Sequence, residues 1–312
     1  MQNPINDLEY DNGSKTGNII IYDLLTNKYH KHMQCREGLV FKFCIIGHIK
    51  KYLAGVVGLN QDRIYVWSMK STMDQQRPQR FKHKIIFGER VTQVISHKAS
   101  LNRYLIVGKA NGSIDIIEVV NFQRVFEVKE LMNTSIHHMS ECKRGSNFIG
   151  NVIVASEDNN IKMIKLNFII KQIEKVELDY VFPDKIDSAI SLSGDLICIH
   201  LSSGFINIFD LGLLGNQRQK PFLIESYKDT SHMFGFNKGN YFVKVFSGNN
   251  KNEQFIQLFG GKTGKDINVY KTQIQSKIIA IVKILDMIVI AGKHDGKIQI
   301  FHLDFDDSNQ LY

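Results

Sequence analysis

The segment Gly260-Gly-Lys-Thr-Gly-Lys265 holds the residues closest to a known chemistry, because Gly-Lys-Thr ends the loop that cradles a phosphate in backbone N–H groups. That loop also needs a glycine five residues ahead of its Gly-Lys and a helix behind it. Position 256 is Ile256 and an alternating strand follows, so the segment is expected to be a β-hairpin turn. Eleven histidines include His30 and His32 in alternation and the pair His137-His138, with Cys142 four residues further on. A metal centre needs further donors converging on such pairs. No Cys-x-x-Cys and no second His pair stands near, so these are expected to be ordinary strand histidines. Asp304-Phe-Asp-Asp307 has the opening acids of a calcium loop without its glycine and closing glutamate. Gly-x-Ser-x-Gly and His-Glu-x-x-His are absent. The expectation is therefore no catalytic residue, no cofactor and no metal. An enzyme site gathered from distant segments leaves no local signature and stays open as an alternative.

Charge supplies the next candidates. The 312 residues carry 39 Lys+Arg against 31 Asp+Glu, a net +8. The densest basic stretch, Arg77-Pro-Gln-Arg-Phe-Lys-His-Lys84, contains Arg77, Arg80, Lys82 and Lys84. Strand alternation would put Phe81, His83 and Ile85 on one face and Arg80, Lys82 and Lys84 on the other. Such an outer strand either discourages edge-to-edge pairing or contacts an anion such as RNA or an anionic lipid head group. The long polar segment Ser247–Glu253 adds Asn249, Asn250 and Lys251 as a second candidate contact.

Other features bear on compartment. The polar, acidic start MQNPINDLEYDNG lacks the apolar stretch of a secretory signal. Four cysteines lie far apart, as expected in a reducing compartment. The longest apolar stretch, Ile278–Gly292, is broken by Lys283 and Asp286 and is too short for a membrane helix. A non-transmembrane, intracellular protein is expected, the cytoplasm first and the nucleus open.

These features must sit on a framework, and its period is visible. An apolar strand, a Gly, Asn or Asp turn, and an alternating strand ending in a large residue recur. Examples are Ile106–Gly112 before Ser113–Ile117, Ile197–Gly204 before Phe205–Phe209, and Ile288–Gly296 before Lys297–Phe301. The closing residues Tyr22, Trp67, Ile117, Ile164, Phe209, Phe259 and Phe301 are separated by 45, 50, 47, 45, 50 and 42. Period-two alternation with β-branched and aromatic residues argues for strands over a helical solenoid. Each interval holds four strand-like runs, such as 91–97, 104–110, 113–119 and 124–130 in one unit and 187–192, 196–201, 205–211 and 220–226 in another.

Asp295-Gly-Lys-Ile-Gln-Ile-Phe301, Ser203-Gly-Phe-Ile-Asn-Ile-Phe-Asp210 and Arg63-Ile-Tyr-Val-Trp-Ser68 resemble the second and third strands of the tryptophan–aspartate (WD) repeat family. The resemblance is degenerate. Only Tyr22-Asp23 and Phe209-Asp210 keep an Asp after the closing residue, and Trp67, the sole tryptophan, precedes Ser68. Gly47-His48 stands at the end of a first strand, where the family's Gly-His motif does not belong. The resemblance implies an all-β β-propeller of four-stranded antiparallel blades; the seven closing residues make it seven-bladed, with an incomplete or irregular first or last blade, in one domain over residues 1–312 whose ends, 1–16 and 304–312, are poorly defined. It also implies a non-catalytic scaffold for protein–protein contacts. The pattern supplies 25 strands of the 28 that seven blades need: two in the first unit, three in the last. Met1–Thr16 and Asp304–Tyr312 do not alternate. Irregular strands from these ends, strands donated by a partner chain, or a start inside a longer protein would each account for the shortfall.

Overall fold

The computed structural model describes residues 17–302 except 24–27, 49, 59, 70–81, 143–147, 193–195, 211–221, 225–229, 237–240, 249, 251–252, 261–263, 277, 285–286 and 293–297. Among the described residues the chain is all-β, with 25 strands in seven sheets and no α-helix. The first sheet pairs β1 (Gly17–Asp23) with β2 (Lys28–Cys35). The second runs β3 (Val40–Ile46), β4 (Tyr52–Val57), β5 (Arg63–Ser68), β6 (His83–Ile86), and the third β7 (Val91–Ser96), β8 (Tyr104–Lys109), β9 (Ile114–Glu118), β10 (Gln123–Val128). The fourth is β11 (Ile136–Glu141), β12 (Ile149–Ser156), β13 (Asn160–Asn167), β14 (Gln172–Val181). The fifth is β15 (Ile186–Ser191), β16 (Leu196–Leu201), β17 (Ile206–Asp210), β18 (Phe222–Ile224). The sixth is β19 (Thr230–Phe236), β20 (Tyr241–Ser247), β21 (Gln254–Gly260), β22 (Asp266–Lys271), and the last is β23 (Ile278–Ile284), β24 (Met287–Gly292), β25 (Ile298–His302). Neighbours pair in chain order as antiparallel hairpins, the repeated sheet of a propeller-like fold.

The repeat extends below the level of the strand. In five sheets the first strand slips by one residue against the second near its start, at Val40/Lys42, Val91/Gln93, Ile186/Ser188, Thr230/His232 and Ile278/Ala280. A bulge bends a strand and sharpens its twist, and its recurrence at one place marks the five strands as equivalents.

Contacts divide the chain into two compact units, one of residues 1–139, 146–150 and 167–173, the other of 140–145, 151–166 and 174–312. In the first unit, Ile46, Val56, Ile64 and Val66 of the second sheet meet Val91, Val94, Leu105 and Val107 of the third. The opposite face of the second sheet buries Leu53, Tyr65 and Trp67 against Met33 and Cys35 of β2. In the second unit, Ile153 and Ile161 pack with Ile186, Ile197 and Ile199, and Cys198, Ile206 and Ile208 pack with Phe242 and Phe259. Second strands such as β8 are covered on both faces, so they read as continuous apolar runs. Each fully buried Val, Leu or Ile contributes about 1.5–3 kcal/mol.

Two turns fix the hairpins. Gly112 has φ +79, and a Cβ there would lie 2.0 Å from the Met132 carbonyl oxygen, so no other residue fits. Gly264, at φ +62, donates to the Gly260 carbonyl at 2.7 Å, while Gly260 N–H donates to Lys265 at 2.9 Å. Gly261-Lys262-Thr263 lies outside the described residues, but Gly260, Gly264 and Lys265 on either side close the β21–β22 hairpin, and a strand follows. No described helix is long and apolar enough to cross a membrane.

Candidate partner-binding surfaces and buried charges

The basic stretch is only partly visible. Arg77 and Arg80 lie outside the described residues, as does Phe81. Lys82 is exposed just ahead of β6, and its N–H continues the ladder to Val66 at 2.6 Å. Along β6, His83 and Ile85 turn inward and Lys84 and Ile86 outward, the alternation expected from the sequence. Lys84 is nonetheless not an available charge. Its Nζ bonds Glu37 at 3.0 Å, and the same carboxylate takes Arg63 Nη1 at 2.8 Å. Arg63 also bonds Asp62 at 2.8 Å, and Lys84 stands 5.6 Å from the Tyr65 ring centroid. A hydrogen bond from Tyr65, followed by those from Lys84 and Arg63, holds the Glu37 carboxyl below its usual range. This cluster offers an anion much less net charge than its lysine and arginine suggest.

In the second polar candidate, Asn249 and Lys251 lie outside the described residues. Asn250 is exposed in the β20–β21 turn, where its carbonyl accepts from Glu253 N–H at 2.8 Å. His30 and His32 lie on β2 and His137-His138 on β11. No group of three or more His, Cys, Asp or Glu comes together among the described residues. Asp304–Asp307 falls outside them. The four cysteines are free thiols, Cys35, Cys142 and Cys198 buried.

A feature that the sequence reading missed occupies the third sheet. Asp115 on β9 is 1% exposed and stands opposite Glu127 on β10. Lys109, at the end of β8, reaches both, with Nζ 3.2 Å from Asp115 Oδ2 and 2.6 Å from Glu127 Oε1. Arg124 covers them from the surface, 3.4 Å from Asp115 Oδ1. The group lines a cleft of about 530 Å³, shared with Phe87, Glu89 and Ile117. The Lys109 hydrogen bond keeps the Glu127 carboxyl below its usual range. An ionised carboxylate locked onto a cation makes a poor proton donor near neutrality, so the arrangement is suited to holding three strands together more than to general acid catalysis.

In the second unit, His200 on β16 and Lys244 on β20 are buried. Burial, aided by Lys244, pushes the His200 imidazole down to about 3, although Asp187 stands 3.8 Å from its Nδ1. Burial alone brings Lys244 down to about 7. A partly neutral amine is a potential nucleophile, but at 0% exposure no substrate reaches Lys244 without local opening. No protein-family profile matches the chain, and no curated protein matches it.

Proposed function

We propose that this protein is a WD-like β-propeller that acts as a non-catalytic intracellular platform for protein–protein contacts. The observation that carries this reading is how the fold distributes its side chains. The buried charges of the third sheet pair with one another, Lys109 with Asp115 and Glu127. Large apolar side chains meanwhile remain at the surface on framework strands, among them Phe41, Phe43, Ile45, Ile86, Ile298 and Ile300. A rigid β framework with exposed apolar anchors suits docking, because a few such anchors carry most of the affinity of an interface.

The reading with RNA or anionic lipid is weakened by the Glu37 carboxylate, which takes both Lys84 and Arg63. The test is affinity purification of the tagged, intact chain at its natural level, with nuclease and mild detergent in parallel arms. A stoichiometric protein that survives both treatments supports the platform. Recovery of the chain alone, or of a partner lost with the nuclease or the detergent, contradicts it.

A further inference from the structure

β3 is unlike its equivalents. Phe43 is 61% and Ile45 49% exposed, and Leu39 and Phe41 are each 43% exposed. By contrast β7 and β11 have no exposed residue, and β15 has one, the polar Asp187. Register explains the difference. Ile45 pairs with Leu53 and Leu53 with Trp67, while Phe43 pairs with Gly55 and Gly55 with Tyr65, so these residues share one face of the second sheet. Over β4 and β5 that face is covered by Ile19, Ile21, Met33 and Cys35 of the first sheet. Over β3 the cover runs out, because among the described residues the first sheet has only two strands.

The two strands present are the third and fourth of a repeat. Tyr22-Asp23 is a closing residue with its Asp, and the Thr-Asn-Lys that follows matches the Thr-Gly-Lys between β21 and β22, a third and a fourth strand. Among the described residues no first and no second strand stands beside β1, against the exposed face of β3. Elsewhere these positions face each other, as β3 faces β7 and β15 faces β19.

We propose that the edge of β1 and the exposed face of β3 together receive a two-stranded, apolar β-hairpin of a separate protein, which completes the first sheet to four strands. The second strands of this chain define what the occupant needs: YLAGVV, YLIVGK and LICIHL are near-continuous apolar runs. Met1–Thr16 and Leu303–Tyr312 contain no such run. A second copy has none to lend, since β4, β8, β16 and β20 are each paired on both sides within their own sheets. The surroundings of β3 set the occupant's charge. Arg36 is exposed before the strand and His48, Lys50 and Lys51 after it, while Glu37 is held by Arg63 and Lys84. The fitting hairpin is apolar along its length and acidic at its ends, added by strand pairing.

The inference rests on the platform reading only in taking its occupant to be a protein. Hydrogen exchange read by mass spectrometry tests it in three samples of the full chain: alone, in the affinity-purified assembly, and with a synthetic peptide of residues 186–201, the first and second strands of the fifth sheet, which is apolar and carries Asp187 and Asp195 towards the ends of its strands. Alone, amides of β1 should exchange at least about tenfold faster than those of β8, and the assembly or the peptide should slow them about tenfold. Replacing Phe43→Lys and Ile45→Lys together should abolish that slowing and shift the melting temperature by no more than about 2 °C, both residues being exposed. Protection of β1 in the chain alone overturns the proposal: the chain's own residues cover the edge if protection is independent of concentration, a second copy if it is not. Slowing in neither the assembly nor the peptide sample also overturns it. An intact assembly with an unprotected β1 refutes the acceptor edge and leaves the platform standing, whereas an empty purification beside a peptide-protected β1 does the reverse.

Discussion

Asp115 shows what a single residue contributes here and how little of it a sequence reveals. It interrupts the apolar run Ser113-Ile-Asp-Ile-Ile117 at a position that alternation turns inward, and a charge there must find a partner. That signal was available, but the partners Lys109 and Glu127 arrive through two hairpins and have no diagnostic spacing. Asp115→Ala should cost about 1.5–3 kcal/mol in urea unfolding, because Lys109 loses one of two charged partners and keeps Glu127. The paired change Lys109→Met with Asp115→Leu should cost far less, since it removes both charges. Histidines give a second test. Burial lowers His97, packed on Phe168, to about 4, and His200 to about 3. Both are neutral in the fold, whereas in the unfolded chain each protonates near its ordinary 6.5. Their contribution is therefore complete above about pH 6.5 and is lost as pH falls toward 4 and 3, by about 1.4 kcal/mol per residue per pH unit. The melting temperature should drop between pH 7 and 4.5, and His97→Gln with His200→Gln should flatten that drop.

Strands and turns were far more legible. The run 104–110 became β8 at Tyr104–Lys109 and the run 196–201 became β16 with the same ends, because apolar alternation and Gly or Asn turns act locally. The recurrent bulge in the first strands was not legible, since no residue type marks it. Gly112→Ala should cost more than about 1 kcal/mol, as it combines a positive φ with the Met132 carbonyl in the space a Cβ needs; chemical denaturation measures it. Lys84 carries the opposite lesson. Its outward direction followed from the pattern, but its pairing with Glu37, 47 positions away, did not. Lys84→Gln combined with Glu37→Gln should leave any binding to RNA or anionic vesicles unchanged at fixed ionic strength, because the two charges removed already cancel, and a salt titration of both proteins checks this.

For the molecule as a whole, the sequence carried the repeat, and among the described residues the first sheet has two strands and the last three, the numbers its pattern supplies. It did not reveal that Phe43 and Ile45 stand in solvent. Exposure depends on what packs beside a strand, and a local residue pattern does not record that. A surface that meets other proteins, as proposed, would keep the chain in a larger particle. The most direct measurement is the mass of the native particle carrying this chain, by size-exclusion chromatography with light scattering after nuclease treatment. A particle well above the 35.8 kDa of the chain, with the excess made up of protein, is the expected result. A particle of 35.8 kDa, unchanged by concentration, would contradict it.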